Sequence, residues 1–153
     1  MTVSKRSFLV AALLAGVSLA AFAQQATTPA GLWKTIDDGT KKEKSLVRIV
    51  ESGGVYSGKV EKFLDPDTPK DAVCKECGDD RKDKPIQGMT IIRNMKASAD
   101  DKAVFEGGDI LDPNNGKVYK ARMKVIDNGA RLEVRGFIGI SLIGRTQTWV
   151  RVE

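Results

Sequence analysis

From residue 31 onward, apolar and polar positions alternate in short runs, and each run stops at a turn signal. The clearest run covers residues 117–126. Tyr119, Ala121, Met123 and Val125 fall on one face, and Lys120, Arg122 and Lys124 on the other. A second run sets Leu132 and Val134 against Arg131, Glu133 and Arg135. A period of two sends successive side chains to opposite sides of a strand, so both segments read as sheet with one wet face. Residues 31–36, 45–50, 55–63, 85–95, 102–106, 131–138 and 146–152 complete a set of about eight strands. Between them stand Asp37-Asp38-Gly39, Gly53-Gly54, Gly107-Gly108, Asn114-Asn115-Gly116 and Asp127-Asn128-Gly129. Asn-Gly and Gly-Gly pairs tolerate positive φ and favour tight hairpins. Residues 64–73 could hold one helical turn at most, limited by Pro66 and Pro69.

Strands at this spacing, joined by hairpins, predict an all-β domain. An eight-stranded antiparallel up-and-down β-barrel is the favoured arrangement, because closure removes exposed edges. A two-sheet sandwich is the alternative. A barrel of eight strands is either filled by side chains or holds one small ligand.

The segment before this pattern differs in kind. Lys5 and Arg6 precede an apolar run at residues 8–21, followed by Ala21-Phe22-Ala23. A positive start, a short apolar stretch and a small-x-small site are the marks of a cleaved secretory signal. The expected division is therefore a signal peptide over residues 1–23 and a single β-barrel domain over 24–153. The expected location is the bacterial periplasm. Cleavage would leave 130 of the 153 residues and lower the net charge from +5 to +3. The signs are interleaved, without the basic stripe of a nucleic-acid binder, so no nucleic-acid partner is expected. After removal of the leader no membrane span is expected either.

Composition narrows the chemistry. The chain contains no histidine, which removes Ser-His-Asp and Cys-His catalysis in their usual forms and every His-based metal site. Cys74-Lys75-Glu76-Cys77 is the most chemical-looking segment. Export favours a disulfide between Cys74 and Cys77. The charged loop around it lacks the strand-to-helix setting of a redox pair, so a structural staple is the favoured reading. Asp79, Asp80 and Asp83 lack a calcium loop's spacing and alternate with basic residues, which reads as a solvated turn. Gly136, Gly139 and Gly144 bracket an apolar stretch, Phe137 to Ile143, read as core closure at a barrel end or else a docking patch. No catalytic, metal or cofactor site is expected, and the expectation is a non-enzyme.

The chain resembles the family of exported bacterial proteins known as Domain of Unknown Function 2147 (DUF2147). The resemblance is carried by Gly31-Leu32-Trp33, by Val55-Tyr56-Ser57-Gly58, and by Cys74 to Cys77. It continues through Pro85-Ile86-Gln87-Gly88-Met89, Gly107 to Pro113, Gly116 to Tyr119, Leu132 to Gly139 and Gly144 to Trp149. It implies a lipocalin-like periplasmic barrel and no established activity. In lipocalin-like barrels the tryptophan of Gly-x-Trp plugs one end and an arginine from the last strand covers it. Trp33 is thus read as structural, with Arg151 or Arg145 as its cover; an ordinary core tryptophan is the alternative.

These readings converge on a periplasmic barrel that binds a small, partly apolar ligand. Tyr56, Tyr119, Arg135, Arg145 and Trp149 are the expected ligand contacts, a mixture of aromatic and cationic groups suited to an amphipathic carboxylate. The alternative is an envelope interaction module with a filled barrel and a protein partner docking near Ile140.

Overall fold

The computed structural model describes residues 28–140 and 142–153; the signal peptide expected over residues 1–23 lies outside them. Eight strands form one closed antiparallel barrel in which each pairs with the next. They are β1 (Gly31–Ile36), β2 (Glu43–Ser52), β3 (Val55–Phe63), β4 (Thr90–Ala97), β5 (Val104–Asp112), β6 (Lys117–Ile126), β7 (Arg131–Phe137) and β8 (Gly144–Arg151). A 3-10 turn over Asp127–Gly129 is the one helical element among the described residues. The barrel, not the sandwich, is the observed solution.

Alternation drives the closure. Val47 and Ile49 of β2, Ala121, Met123 and Val125 of β6, and Leu132 and Val134 of β7 are buried. Their neighbours in sequence carry charge outward. Salt bridges such as Arg48–Glu61 cross adjacent strands on the outer wall. Closure leaves one weak seam. β1 and β8 share only the pairs Trp33↔Arg151 and Lys34↔Val150, extended downward by Val152 N–H donating to Leu32 O (2.7 Å).

Two strands, β4 and β5, differ most from the sequence-based expectation. β4 begins at Thr90, because residues 85–89 turn through Gly88 (φ +87°) after a lone bridge between Val73 and Pro85. β5 runs to Asp112 through Gly107-Gly108, which the sequence suggests as a stop. Gly107 takes φ +81° and the β5–β6 register shifts between Phe105 and Gly108. The glycine pair is therefore a bulge inside a strand, where positive φ is accommodated without ending the ladder. Residues 64–73 contain turns but no helix.

The two ends of the cylinder are filled differently. At the end where β1 starts and β8 finishes, large side chains occupy the interior. Trp33, Met95, Met123 and Leu132 are fully buried there, and Tyr56 meets Phe105 edge-on at 4.9 Å. At the opposite end several inward positions are small, with Thr35, Ser45 and Gly136 among them. Eight strands enclose a roughly fixed cross-section, so small residues leave open space. The four connections at this mouth are the β1–β2, β3–β4, β5–β6 and β7–β8 segments. The longest, β3–β4, carries the disulfide between Cys74 and Cys77. Both cysteines are buried, so the staple is packed into the core while the charged residues around it, Lys75, Glu76, Asp79 and Asp80 among them, remain on the surface.

Candidate functional site: the mouth of the barrel

A cavity of about 870 Å3 opens at this mouth. Its apolar floor includes Val60, Ile91, Leu111, Val134 and Trp149. Above the floor lies a polar belt. The Thr35 and Ser45 hydroxyls share a hydrogen bond of 3.0 Å. Trp149 Nε1 donates to Gln147 Oε1 at 3.1 Å, which turns the amide toward the lumen wall while the indole stays apolar. Tyr119 sits at the rim, where its hydroxyl accepts from Asn115 Nδ2 at 3.1 Å. The volume falls in the ~300–1,000 Å3 range of small-molecule sites, and the mixture of apolar floor and few polar groups is typical of them. This open interior is the opposite of the filled barrel that the alternative reading expected.

The rim is charged but internally paired. Arg145 Nε donates to Asp38 Oδ2 at 2.7 Å and its Nη2 reaches Asp37 Oδ2 at 3.3 Å. The bond to Asp38 raises the Arg145 pKa above the ordinary guanidinium value. Asp38 is held below the usual carboxylate range, first by that same bond. Asp37 is lowered first by the Thr40 N–H and hydroxyl, with Arg145 adding to the effect. At the start of β2, beside the connection that carries Asp37, Lys44 bonds Asp65; their pKa values move up and down respectively, each primarily because of the other. Each of these cations therefore already faces a carboxylate.

The five expected ligand contacts separate into two groups. Tyr119, Arg145 and Trp149 line the cavity. Tyr56 does not; it belongs to the packed closed half, against Phe105. Arg135 does not either. It alternates with buried Val134, faces the outer wall, and donates to Thr146 Oγ1 (2.9 Å) and Leu142 O (3.2 Å). Its assignment as a ligand contact is corrected on that ground. Thr35, Ser45, Gln147 and Lys44 line the cavity without standing out in the sequence. Inward parity on β1, β2 and β8 is the signal that marks the first three.

Arg151 covers the tryptophan at the closed end. Its Cζ lies 4.1 Å from the centre of the Trp33 ring, and it donates to Gly129 O, Ala30 O and Thr28 O. Burial lowers its pKa from the ordinary guanidinium value. Trp33 Nε1 donates to Pro29 O at 2.7 Å. Core closure, the reading favoured for the stretch after β7, does not hold. Ile138, Ile140, Leu142 and Ile143 are exposed to solvent at 61–82%.

Among the described residues no group of three His, Cys, Asp or Glu side chains could hold a metal ion. Asp79 is held by Arg81 and falls to about 2, and Asp80 is bonded by Arg93. No helix among the described residues is long and apolar enough to cross a membrane.

A family model described as "Uncharacterized protein conserved in bacteria (DUF2147)" matches residues 31–151. That span begins with β1 and ends with β8. Among solved structures, one of a Helicobacter pylori protein is similar, described in the words "Protein HP1028 from the human pathogen Helicobacter pylori belongs to the lipocalin family". It superimposes with a TM-score of 0.69 at 21% identity, covering 81% of this chain and 82% of that one. At this identity the likeness is one of fold. No curated protein matches the chain.

Proposed function

This chain belongs to the DUF2147 family of bacterial proteins, and we propose that it is a non-enzymatic, periplasmic carrier of one small, partly apolar ligand held in the mouth of its barrel. The observation that carries this reading is the cavity of about 870 Å3 with Trp149 in its floor and Gln147, Tyr119 and Arg145 above it. The lipocalin membership of the Helicobacter pylori neighbour supports it by analogy of fold. The leader-like sequence pattern of residues 1–23 supports the location. The carboxylates of the rim support a binding role over a catalytic one: Asp37 and Asp38 are fixed by Arg145 and held below the ordinary range.

The pairing also revises the ligand's expected head group. In the sequence, Arg135 and Arg145 suggest a carboxylate. Arg135 lies outside the lumen, and Arg145 already serves two carboxylates. An anionic ligand would have to displace one of them. A hydroxyl or amide head can bond Gln147, Tyr119 or Asn115 and leave every ion pair intact. The proposed ligand is thus a neutral amphiphile with an aliphatic or aromatic body.

The test is titration with the neutral fluorescent probe N-phenyl-1-naphthylamine, followed by displacement with matched alkanols and alkanoates. Saturable one-to-one binding, displaced better by the alkanol, is expected. An unsaturable signal would end the carrier reading, and preference for the alkanoate would restore the carboxylate.

A further inference from the structure

Eight large apolar side chains are exposed among the described residues. Four of them, Val50, Val118, Val150 and Val152, are spread over separate positions of the wall and C-terminal segment. The other four, Ile138, Ile140, Leu142 and Ile143, cluster in the single connection between β7 and β8, with Leu142 at 82% exposure. Scattered apolar residues are ordinary on a surface, whereas a concentrated group without charge marks an interaction site. This connection contains no ionisable residue. It is not a loose tail: Ile138 N–H donates to Ile143 O, Ile143 N–H to Ile140 O, and Arg135 Nη2 to Leu142 O. Ile138 and Ile143 also line the cavity, so one apolar surface runs from the lumen out over the rim.

Basic residues stand directly beneath it on the outer wall. Lys120 pairs with Phe137 across β6 and β7, and Arg122 pairs with Arg135 in the next row. Like charges placed opposite one another weaken a sheet. Arg135 reaches up to the turn itself. On the side of β5, Glu106 comes within 3.9 Å of Arg122, and Asp109 lies opposite Lys120. An aliphatic tip above a basic collar is complementary to an anionic lipid surface, whose acyl region takes the tip and whose phosphates face the collar.

We propose that Ile138, Ile140, Leu142 and Ile143 dock the barrel mouth onto an anionic phospholipid bilayer. A protein partner fits less well. Four aliphatic side chains cover far less than the ~800 Å2 each partner buries in a standard interface, and protein hot spots favour Trp, Tyr and Arg. A bilayer needs neither register nor a matching pocket. Docked this way, the lumen would open toward the membrane, and an apolar molecule could pass between bilayer and barrel along Ile138 and Ile143 without crossing water. The docking does not depend on the carrier reading, since Ile140, Leu142 and the collar residues are not part of the cavity lining.

The test places an environment-sensitive fluorophore at the tip of the full chain through Ile140→Cys; Cys74 and Cys77 are paired and leave the new thiol as the reactive one. A control chain carries the label through Val50→Cys, on the outer face of β2. Vesicles of phosphatidylglycerol with phosphatidylethanolamine should shift the tip label to the blue and leave the control label unchanged. Vesicles of phosphatidylcholine alone should give a much weaker response. Adding Leu142→Asp or Arg135→Glu to the labelled chain should lower apparent vesicle affinity about tenfold or more, with the far-UV circular dichroism of the barrel retained. No blue shift with either vesicle, or equal shifts at both labels, would overturn the proposal. A shift that grows with protein concentration in the absence of vesicles would overturn it in favour of self-association. Binding of N-phenyl-1-naphthylamine, measured on the same samples, reports the carrier reading separately.

Discussion

Arg151 lies over the face of Trp33, its guanidinium carbon 4.1 Å from the ring centre, and joins three backbone carbonyls from two other parts of the chain. The contact closes one end of the barrel. It brings together the segment before β1, the turn after β6 and the last strand. Charge, stacking and hydrogen bonds act through one planar group, which suits arginine and not lysine.

Replacing Arg151 with Ala should therefore cost about 2–4 kcal/mol, from the cation–π contact and charge-assisted hydrogen bonds together. Arg151→Lys should recover less than half of that. Urea denaturation of the three proteins checks the expectation. A lysine variant as stable as the parent would show that charge alone suffices.

Val134 offers a test of the open lumen that reads in two directions. In a tightly packed barrel, Val134→Trp would overpack and cost roughly 1–3 kcal/mol. Here Val134 borders the cavity, so the larger ring has space to enter. We expect stability within about 1 kcal/mol of the parent, together with loss of probe binding by tenfold or more. Thermal denaturation and the probe titration measure the two effects on one sample.

Gly116 sits at φ +69° in the β5–β6 turn, where an added Cβ would stand 1.9 Å from Glu76 O. That carbonyl belongs to the disulfide loop, so the two mouth connections are in backbone contact. Gly116→Ala should destabilise the protein and loosen the β3–β4 connection. Faster amide exchange in residues 74–77 than in β6 would be its signature. Exchange unchanged in that loop would refute the coupling.

Acid should release the rim only at the low end of the scale. Asp37, Asp38 and Asp65 have folded-state pKa values depressed below 3.8. A depressed carboxylate contributes stability that is fully present above its unfolded value and is lost as pH falls through its folded value. Stability and probe affinity should therefore be flat from neutral pH down to about 4 and fall below 3.8. Exposure keeps the contribution of each pair small. A midpoint between pH 5 and 7 would contradict the assignment, since the chain has no histidine to titrate there.

The alternation on β6 and β7 carries most of the fold. β1, β3 and β6 coincide with their sequence patterns, because their inward positions are mostly apolar and glycine or asparagine stands in an adjoining turn. β5 is longer than its pattern because Gly107-Gly108 signals a turn and a bulge in the same letters. Site residues are less legible, for two distinct reasons. Parity separates inside from outside: the register that buries Val134 turns Arg135 outward, and this much is readable from the sequence. Height along the axis is not encoded in parity. Tyr56 and Tyr119 both follow inward patterns, yet one packs against Phe105 in the closed half and the other borders the mouth. Only strand register fixes that difference.

The unequal pairing around the cylinder has a mechanical consequence. Seven junctions are longer backbone ladders, while β1 and β8 are joined by two residue pairs, by the backbone bonds of Leu32 with Val152 and Glu153 and, nearer the mouth, by the Arg145, Asp37, Asp38 and Gln147 side chains. Backbone ladders part cooperatively; side-chain clasps can let go singly and re-form. The wall thus has a built-in hem along which it can slacken, beside the aliphatic turn, while the other strands keep their shape.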